Sequence, residues 1–248
     1  MHEIGQATFT RRKQHDATRE RAPQTSRLEE DLRAYYVEAE EESIFDKWER
    51  GEARGDSTTP SICSPEYRAW MLERLHEALG EDRERRLLSI GAGNAMVERM
   101  LCREGYHVLA VDALMPAVEI ASRHGVPSLC RDIRAWEPAP DAFDVVYADG
   151  LLGHLYDEFG GCQAVMRRVR GWLASPDSSL VVSNDVPPGD APVKPAPGVN
   201  GFHWLSTAWI GEMLVEAGYT PTLTTEFVYE RPLSGPRRRA IIVAKPAA

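Results

Sequence analysis

The sequence predicts an α/β fold built on a mostly parallel β-sheet with helices on both faces. Short apolar segments alternate with helical stretches along the middle of the chain, an order typical of parallel strands joined by crossover helices. The strands are predicted near 87–90, 107–111, 128–131, 143–148 and 179–183, and the helices between them near 95–104, 116–124 and 160–174. The last two apolar segments, 222–229 and 240–245, are joined by ten residues without a helical pattern, which predicts an antiparallel hairpin at the edge of the sheet.

The residues before the first strand predict a helical cap. Residues 1–27 are polar, and we expect them to form a disordered tail. From Leu28 to Trp48, apolar residues recur at three- and four-residue steps, as on one face of an amphipathic helix. A second helix is predicted to begin at Pro65, with Ser64 as its N-cap. The chain is therefore divided into a tail at 1–27, a helical cap or lid at 28–82 and a Rossmann-like α/β domain at 83–248.

Two loops and one more helix complete the predicted order of elements. The segments 51–64 and 185–201 are rich in glycine, proline and small polar residues, and both are predicted to be loops. A helix is predicted near 207–217, where Gly218 ends it.

Composition and charge exclude several classes of protein. The 248 residues are 43% hydrophobic and 27% charged, enough apolar material for a full core. No apolar run approaches the roughly eighteen residues of a membrane helix, and no secretion signal is visible, so we expect a cytoplasmic protein with no membrane partner. The net charge of −9 opposes nucleic-acid binding, and the four cysteines show no CxxC pair that would suggest zinc. Nothing in the sequence predicts the oligomeric state.

The segment SIGAGNA at 89–95 predicts a ligand-binding turn between the first strand and a helix. Gly91 and Gly93 would let a ligand approach the backbone, and the helix N-terminus favours electronegative groups. Asp112 ends the second strand nineteen residues after Gly93, where a carboxylate can accept hydrogen bonds from ribose hydroxyls. Met96 stands where dinucleotide-binding turns have a third glycine. Taken alone, the turn and Asp112 fit NAD and S-adenosylmethionine equally well.

Two further features separate these cofactors: Asp132 and Ile133 directly after the third strand, and the C-terminal hairpin. With them, the sequence over 85–246 resembles the class I S-adenosylmethionine-dependent methyltransferases. The resemblance implies a Rossmann-like methyltransferase fold, with a seven-stranded and mostly parallel sheet whose last strand is antiparallel. It also implies that the cofactor is S-adenosylmethionine and that these residues hold it: Ser89, Gly91, Ala92, Gly93, Asp112, Ala113, Asp132, Ile133 and Asp149.

The resemblance assigns a part of the cofactor to most of these positions. Gly91 and Gly93 would lie against the methionine part, Asp112 on the ribose, and Asp132 with the Ile133 amide at the adenine edge.

The sequence departs from the family pattern at two positions. Ser89 stands where the family usually has Asp or Glu, and Ala95 stands where it often has a third small glycine. The Ser89 hydroxyl can still accept one hydrogen bond.

The fourth strand continues into a segment similar to the family's region that ends in a His-Leu pair, here His154 and Leu155. Residues just beyond the carboxyl ends of parallel strands line the ligand crevice, so we expect Asp149 and His154 to face the cofactor or the acceptor. A histidine with a pKa near 6.5 can remove a proton from an acceptor, which makes His154 a candidate catalytic base. Local packing is the alternative role for His154.

The predicted acceptor site combines residues of the cap with residues that follow the fifth strand. The candidates are Tyr35, Tyr36, Trp48, Asp185, Phe202, His203 and Trp204. The cap aromatics are expected to close over the pocket as a lid, and ordinary packing between cap and core is the alternative. Arg54 is a further candidate, for binding a carboxylate of cofactor or substrate.

These observations predict methyl transfer from S-adenosylmethionine to a nitrogen or oxygen of a small molecule, in natural-product biosynthesis. Asp149 and Asp185 favour an amine slightly, because carboxylates attract a cationic acceptor. The same two residues, with Asn184, could mimic the metal site of a catechol-type O-methyltransferase, but we predict that no metal is needed. The alternatives are a NAD-dependent oxidoreductase, a non-catalytic nucleotide-binding module and a peptide methyltransferase.

Overall fold

The computed structural model of the protein describes residues 27–247, so the predicted tail lies outside the described residues apart from Arg27. Within this range the helices before the first strand are α1 (Arg27–Tyr36), α2 (Ile44–Glu49), α3 (Pro60–Cys63) and α4 (Pro65–Leu79). The single amphipathic helix predicted from Leu28 to Trp48 is wrong, because the chain turns between α1 and α2. The Ser43 hydroxyl accepts a hydrogen bond from the Asp46 amide (3.2 Å) and caps a new helix there.

The remaining elements include the predicted strands and the predicted helices between them. In chain order they are β1 (Arg86–Ile90), α5 (Glu98–Arg103), β2 (His107–Asp112), α6 (Met115–Arg123), β3 (Ser128–Cys130), β4 (Val145–Asp149), α7 (Leu152–Leu155), α8 (Gly161–Arg170), β5 (Ser179–Asp185), β6 (Val193–Pro195), β7 (His203–Leu205), α9 (Thr207–Glu216), β8 (Tyr219–Arg231) and β9 (Gly235–Pro246).

Seven of these strands form one sheet in the order β3-β2-β1-β4-β5-β9-β8. Strands β1 to β5 are parallel, whereas β9 is antiparallel to both β5 and β8. The predicted α/β class, the seven-stranded sheet and the antiparallel last strand are confirmed. The chain leaves β1 toward β2 on one side and returns to β4 on the other, and ligands bind at such a switch point in open α/β sheets.

Four short elements, α3, α7, β6 and β7, were missed, and the C-terminal hairpin is longer than predicted. Helix α3 lies inside the segment 51–64 that was predicted to be a loop. Strands β6 and β7 pair outside the main sheet, with β6 inside the segment predicted to be a loop. Three-residue strands such as these are too short for a periodic signal. Strand β8 begins before residue 222 and ends after 229. Its residues alternate between more and less exposed, and the exposed positions are polar apart from Val228, so its ends carry no apolar run that a sequence pattern would detect.

The two faces of the sheet pack against different helices. On one face, Leu88 and Val146 belong to a core cluster that includes residues of α8 and α9. On the opposite face, Leu87 and Val145 pack with fully buried Met71 of α4. Helix α4 is thus part of the sheet's own helical layer, and the domain boundary expected at 82 stays a prediction.

A third, smaller cluster fixes α2 against the sheet domain. Phe45 and Trp48 of α2 are buried with Leu114 and with Ala117 and Ile120 of α6. This packing places α2, which lies in the N-terminal half of the predicted cap, beside the carboxyl ends of β1 and β2. Over residues 27–247, the helices are all too short or too polar to cross a membrane.

Candidate active site

A deep cleft lies at the carboxyl ends of the parallel strands, roofed by α1 and α2 and by the segment that precedes β7. It encloses about 1460 Å³ of space including its mouth. Of the predicted site residues, the structure places the following in its wall: Gly91, Ala92, Gly93, Asp112, Ala113, Asp132, Ile133, Asp149, His154, Tyr35, Tyr36, Trp48, Asp185, Phe202 and Trp204. Ser89, His203 and Arg54 do not line it.

The turn after β1 requires glycine where it meets the cleft. Gly91 has φ of +68°, and a Cβ there would lie 2.9 Å from Cδ1 of Leu151. Gly93 has φ of +52°, and its amide donates a hydrogen bond to Oδ2 of Asp112 (3.0 Å). Ala95, which replaces the family's third small glycine, keeps a left-handed backbone with φ of +52°. The departure at Ala95 therefore leaves the turn intact, at a cost of about 1 kcal/mol in backbone strain.

Asp112 is held in place by backbone amides at the end of β2. Its two carboxylate oxygens accept hydrogen bonds from the amides of Gly93 and Leu114, at 3.0 and 2.9 Å. Burial raises the pKa of Asp112, and these amides oppose that rise. Each carboxylate oxygen retains a second lone pair, so the group can accept the two ribose hydroxyls predicted for it.

Asp132 already accepts several hydrogen bonds from the protein, which the sequence does not indicate. Its carboxylate accepts hydrogen bonds from the backbone amide (2.9 Å) and the guanidinium (2.7 Å) of Arg134. Burial alone would raise the pKa of Asp132, but these hydrogen bonds outweigh burial and lower it. Asp132 is therefore an ionised acceptor at the rim of the cleft, beside buried Ile133.

Ser89 does not line the cleft itself but bonds a carboxylate that does, and that carboxylate was missed from the sequence. Its hydroxyl donates to Oε1 of Glu98 (2.5 Å), the first residue of α5. Glu98 is 3% exposed and lines the cleft. An acidic residue in the first turn of a helix is ordinarily solvated and favoured by the helix dipole, which is why sequence alone gave Glu98 no role.

Asp149 and Asp185 are part of a buried ionic network in which Arg239 of β9 lies between them. The Arg239 guanidinium donates to Asp149 (2.5 Å), to Asp185 (3.1 Å) and to the Ser183 hydroxyl (3.1 Å). Arg231 also pairs with Asp185. Burial opposes ionisation of Asp149, but the charge of Arg239 outweighs it and lowers the pKa of Asp149.

This network changes two interpretations made from the sequence. Because two arginines neutralise the two carboxylates, Asp149 and Asp185 supply no net negative charge that would attract a cationic amine. A guanidinium also takes the space between the carboxylates where a shared metal ion would lie. Among the described residues, no three His, Cys, Asp or Glu side chains group in a way that could hold a metal. Asn184 has a structural role, since its side chain accepts from the Gly153 amide at 2.9 Å.

His154 on α7 is partly buried where the floor of the cleft meets its roof. Its Nε2 shares a hydrogen bond with the Tyr36 hydroxyl (2.9 Å), and its ring lies 4.6 Å from that of Phe202. Burial, reinforced by His203, lowers the pKa of His154 to about 3, so the imidazole is neutral near pH 7. Its Nδ1 is buried and has no hydrogen-bond partner among residues 27–247.

The roof of the cleft is aromatic. The ring of Tyr36 stacks on that of Phe45 (5.5 Å between centroids), and the Trp48 indole donates to the Ser57 carbonyl (2.8 Å).

Two predicted residues have other contacts: His203 packs on the ring of Tyr156 (4.6 Å), and Arg54 donates to the Tyr35 carbonyl (2.8 Å). Arg54 thus ties α1 to the following loop instead of pointing at a ligand.

Comparison with known proteins agrees with this cleft. The family model of the methyltransferase domain matches residues 88–173. A curated relative, the tabtoxin biosynthesis enzyme of Pseudomonas amygdali pv. tabaci, is 34% identical over 82% of this chain and 80% of its own. The ubiquinone biosynthesis O-methyltransferase of Xylella fastidiosa (strain M23) is 31% identical over 81 residues, which cover 29% of this chain and 32% of that protein.

A solved structure shares the fold of this chain. The 1,6-didemethyltoxoflavin-N1-methyltransferase of Burkholderia thailandensis, with 1,6-didemethyltoxoflavin and S-adenosylhomocysteine bound, is 20% identical and aligns with a TM-score of 0.64 over 89% of this chain and 88% of its own. At that identity the likeness shows the fold. The fold, the cleft at the switch point and the sequence matches agree, and the chain belongs to the class I S-adenosylmethionine-dependent methyltransferases, enzymes whose cofactor is S-adenosylmethionine.

Proposed function

We propose that this methyltransferase methylates a nitrogen of a small, uncharged molecule in natural-product biosynthesis, with an oxygen acceptor as the alternative. The observation that carries the proposal is the neutral acceptor side of the cleft. Arg239 and Arg231 pair with Asp149 and Asp185, and the walls around them are aromatic or hydroxyl-bearing. Such a surface suits an uncharged molecule with an aromatic or apolar body.

The environment of His154 favours nitrogen over oxygen. A general base works best when its pKa is near the working pH, and a pKa of about 3 makes His154 a weak base for a hydroxyl acceptor. A neutral nitrogen already offers its lone pair, so the protein has only to hold that atom in line with the methyl group. The unpartnered Nδ1 of His154 and the Tyr36 hydroxyl can orient such an acceptor by hydrogen bonding.

The protein's contribution to the reaction is therefore mainly orientation and exclusion of water. The cofactor supplies an electrophilic methyl group on a sulfonium. Gly91 and Gly93 allow close approach of the cofactor to the backbone, and Asp112 can accept hydrogen bonds from its ribose. The aromatic roof of α1 and α2 excludes water from the acceptor. Methylation of an N–H acceptor leaves a cationic nitrogen that readily gives up its proton, so no strong base is required.

The relatives support this choice of substrate. The tabtoxin biosynthesis enzyme aligns over 82% of the chain, and its name assigns it to the synthesis of a natural product. The toxoflavin methyltransferase, which shares the fold, is named for transfer to a nitrogen and has its small-molecule substrate bound. The ubiquinone O-methyltransferase matches over less than a third of the chain and so says little about the acceptor.

The test is to incubate the protein with S-adenosylmethionine carrying a ¹³C-methyl group and a fractionated extract of its source. Labelled products are followed by mass spectrometry in small molecules, peptides and RNA, and the carbon shift of the labelled methyl distinguishes nitrogen from oxygen. The proposal expects label in one small metabolite, on nitrogen. Label on oxygen would select the alternative acceptor, and label only in peptide or RNA would overturn the substrate class. Cofactor binding without any transfer would favour the non-catalytic module.

A further inference from the structure

Glu98 is a buried carboxylate at the floor of the cleft, beneath the glycine turn. It is the first residue of α5, is 3% exposed, and accepts a hydrogen bond from the Ser89 hydroxyl at 2.5 Å. No cation pairs with it among the described residues, whereas Arg239 compensates the nearby Asp149. A carboxylate buried at this depth is costly unless a ligand or a proton compensates it.

Two more polar atoms beside Glu98 lack partners. The Tyr147 hydroxyl and Oδ2 of Asp149 are buried without a hydrogen bond among residues 27–247, and both residues line the cleft. Tyr147 pairs in register with Ser89 across β1 and β4, and Asp149 follows it on the same face of the sheet. Tyr147 and Asp149 both interact electrostatically with Glu98. Buried polar atoms in folded proteins are nearly all hydrogen-bonded, so unpartnered polar atoms near Glu98 in a ligand cleft indicate a hydrogen-bonding group on the ligand.

We propose that Glu98, together with Tyr147 and Asp149, binds the α-ammonium group of the methionine part of the cofactor. An ammonium carries three N–H donors and one positive charge, and it has no acceptor. The three side chains offer one acceptor each and an excess of negative charge, which is the complementary arrangement. Glu98 then supplies from α5 the carboxylate that is absent from position 89 of β1, and Ser89 holds Glu98 in place. The inference rests on the family's cofactor and is independent of the acceptor's identity.

This assignment makes cofactor affinity depend on pH. Burial raises the pKa of Glu98 to about 7, and the hydrogen bond from Ser89 and nearby backbone amides limit the rise. The titratable groups that face Glu98 are Asp149 and Tyr147 on β4 and Cys102 one turn along α5. The pKa of Asp149 is lowered and those of Tyr147 and Cys102 are raised, so none of these three titrates between pH 6 and 8.

The direction of this pH dependence follows from which protonation state of Glu98 binds the ammonium group. Ionised Glu98 attracts the ammonium and protonated Glu98 does not, so affinity increases as pH rises through the pKa of the free protein. With that pKa near 7, the ionised fraction rises from about one in eleven at pH 6 to about ten in eleven at pH 8, a gain of about tenfold in affinity. Binding at pH 7 should also release about half a proton.

The experiment is calorimetric titration of the full chain with S-adenosylhomocysteine, which keeps the ammonium, and with 5′-methylthioadenosine, which lacks it. Affinities are measured from pH 6 to 8 in buffers of different ionisation enthalpy, so that the number of protons released is obtained directly. For the unaltered protein we expect the tenfold rise with S-adenosylhomocysteine and a flat profile with 5′-methylthioadenosine. Asp112, whose pKa burial also raises, touches the part common to both ligands and so affects them alike.

Variants complete the test. Glu98→Gln keeps the size of the side chain and should lose the pH dependence, bind S-adenosylhomocysteine about tenfold more weakly at pH 8, and bind 5′-methylthioadenosine unchanged. Glu212→Gln, at an exposed position of α9, is the matched control and should behave as the unaltered protein. A flat pH profile for the unaltered protein with S-adenosylhomocysteine, or an equal loss of both ligands in Glu98→Gln, would overturn the proposal. Failure of the unaltered protein to bind either ligand would overturn the cofactor assignment itself.

Discussion

Removal of Arg239 should strongly destabilise the protein, because it leaves two buried carboxylates without their shared cation. Arg239 is 2% exposed, and its guanidinium donates to Asp149, Asp185 and Ser183. Two of these hydrogen bonds join opposite charges, and such bonds contribute about 1.5–3 kcal/mol each. Breaking a buried ion pair by removing one partner costs about 3–5 kcal/mol. We expect Arg239→Met to lose about 3 kcal/mol, the lower end, because Tyr67 and Tyr229 still donate to the two carboxylates.

The loss of stability in Arg239→Met should depend on pH in a defined direction. In the unaltered protein Arg239 lowers the pKa of Asp149, so this pair stabilises the fold above the unfolded-state pKa of about 3.9 and the stabilisation is lost as pH falls through the folded-state pKa. In Arg239→Met the burial of Asp149 remains without the cation, which raises its pKa above the unfolded-state value. The variant's deficit is therefore largest at pH 7.5 and smaller at pH 5, where Asp149 can protonate in the folded state.

The assay is urea unfolding followed by tryptophan fluorescence at pH 7.5 and pH 5, without ligand. The neighbouring residue gives a matched control: Arg238→Met removes an exposed pair with Glu226 (3.1 Å) and should change stability by less than about 1 kcal/mol at either pH. A deficit of Arg239→Met below about 1 kcal/mol, or one that is equal at the two pH values, would refute the reasoning. An equal deficit would mean that the variant loses packing and not charge compensation.

Three further predictions concern the cleft. Gly91→Ala should weaken S-adenosylhomocysteine binding at least tenfold and lower the melting temperature, because its Cβ would lie 2.9 Å from Leu151 at a positive φ; unchanged binding in calorimetry would contradict this. His154→Ala should leave cofactor binding intact and lower the methylation rate at least tenfold, and Tyr36→Phe should have a smaller effect in the same direction; equal turnover at saturating substrate would remove His154 from the reaction. Activity should survive dialysis against EDTA, since Arg239 lies between the carboxylates that could have shared a metal; a loss restored by a divalent cation would disprove metal independence.

The parts of the molecule that sequence predicted are those governed by local rules. Buried parallel strands have sequences that are short apolar runs between helical stretches. The positions of β1 to β5 along the chain could therefore be predicted from the pattern. The glycine turn and Asp112 could also be predicted from local pattern. Gly93 lies just after β1 and Asp112 ends the neighbouring strand β2, and their 3.0 Å hydrogen bond follows from that adjacency. Each of these positions can be identified without knowing where the rest of the chain goes.

The ionic network could not be predicted in this way, because its members come from distant parts of the chain. Arg239 bonds Asp149 from 90 residues away, and Tyr67 bonds it from 82 residues away on the other side. From the sequence alone, Arg239 is one of three consecutive arginines near the end of the chain, with no sign that it is buried. The interpretation of Asp149 and Asp185 as a source of net negative charge was wrong for this reason. The net charge of a site depends on partners that only the fold brings together.

The proposed acceptor site is assembled mainly from segments outside the part of the chain that matches the methyltransferase family model. That match covers 88–173, whereas Tyr36, Trp48, Phe202 and Trp204 of the cleft wall lie before or after it. Gly93 and Asp112, which are predicted to face the cofactor, lie inside the matched region, so the two halves of the site come from different parts of the chain. His154 joins them: it stands on α7 within the matched region and shares a hydrogen bond with Tyr36 of α1. An acceptor that bonds His154 would therefore lie beside Tyr36 of the roof, so its fit would depend on both segments of the chain.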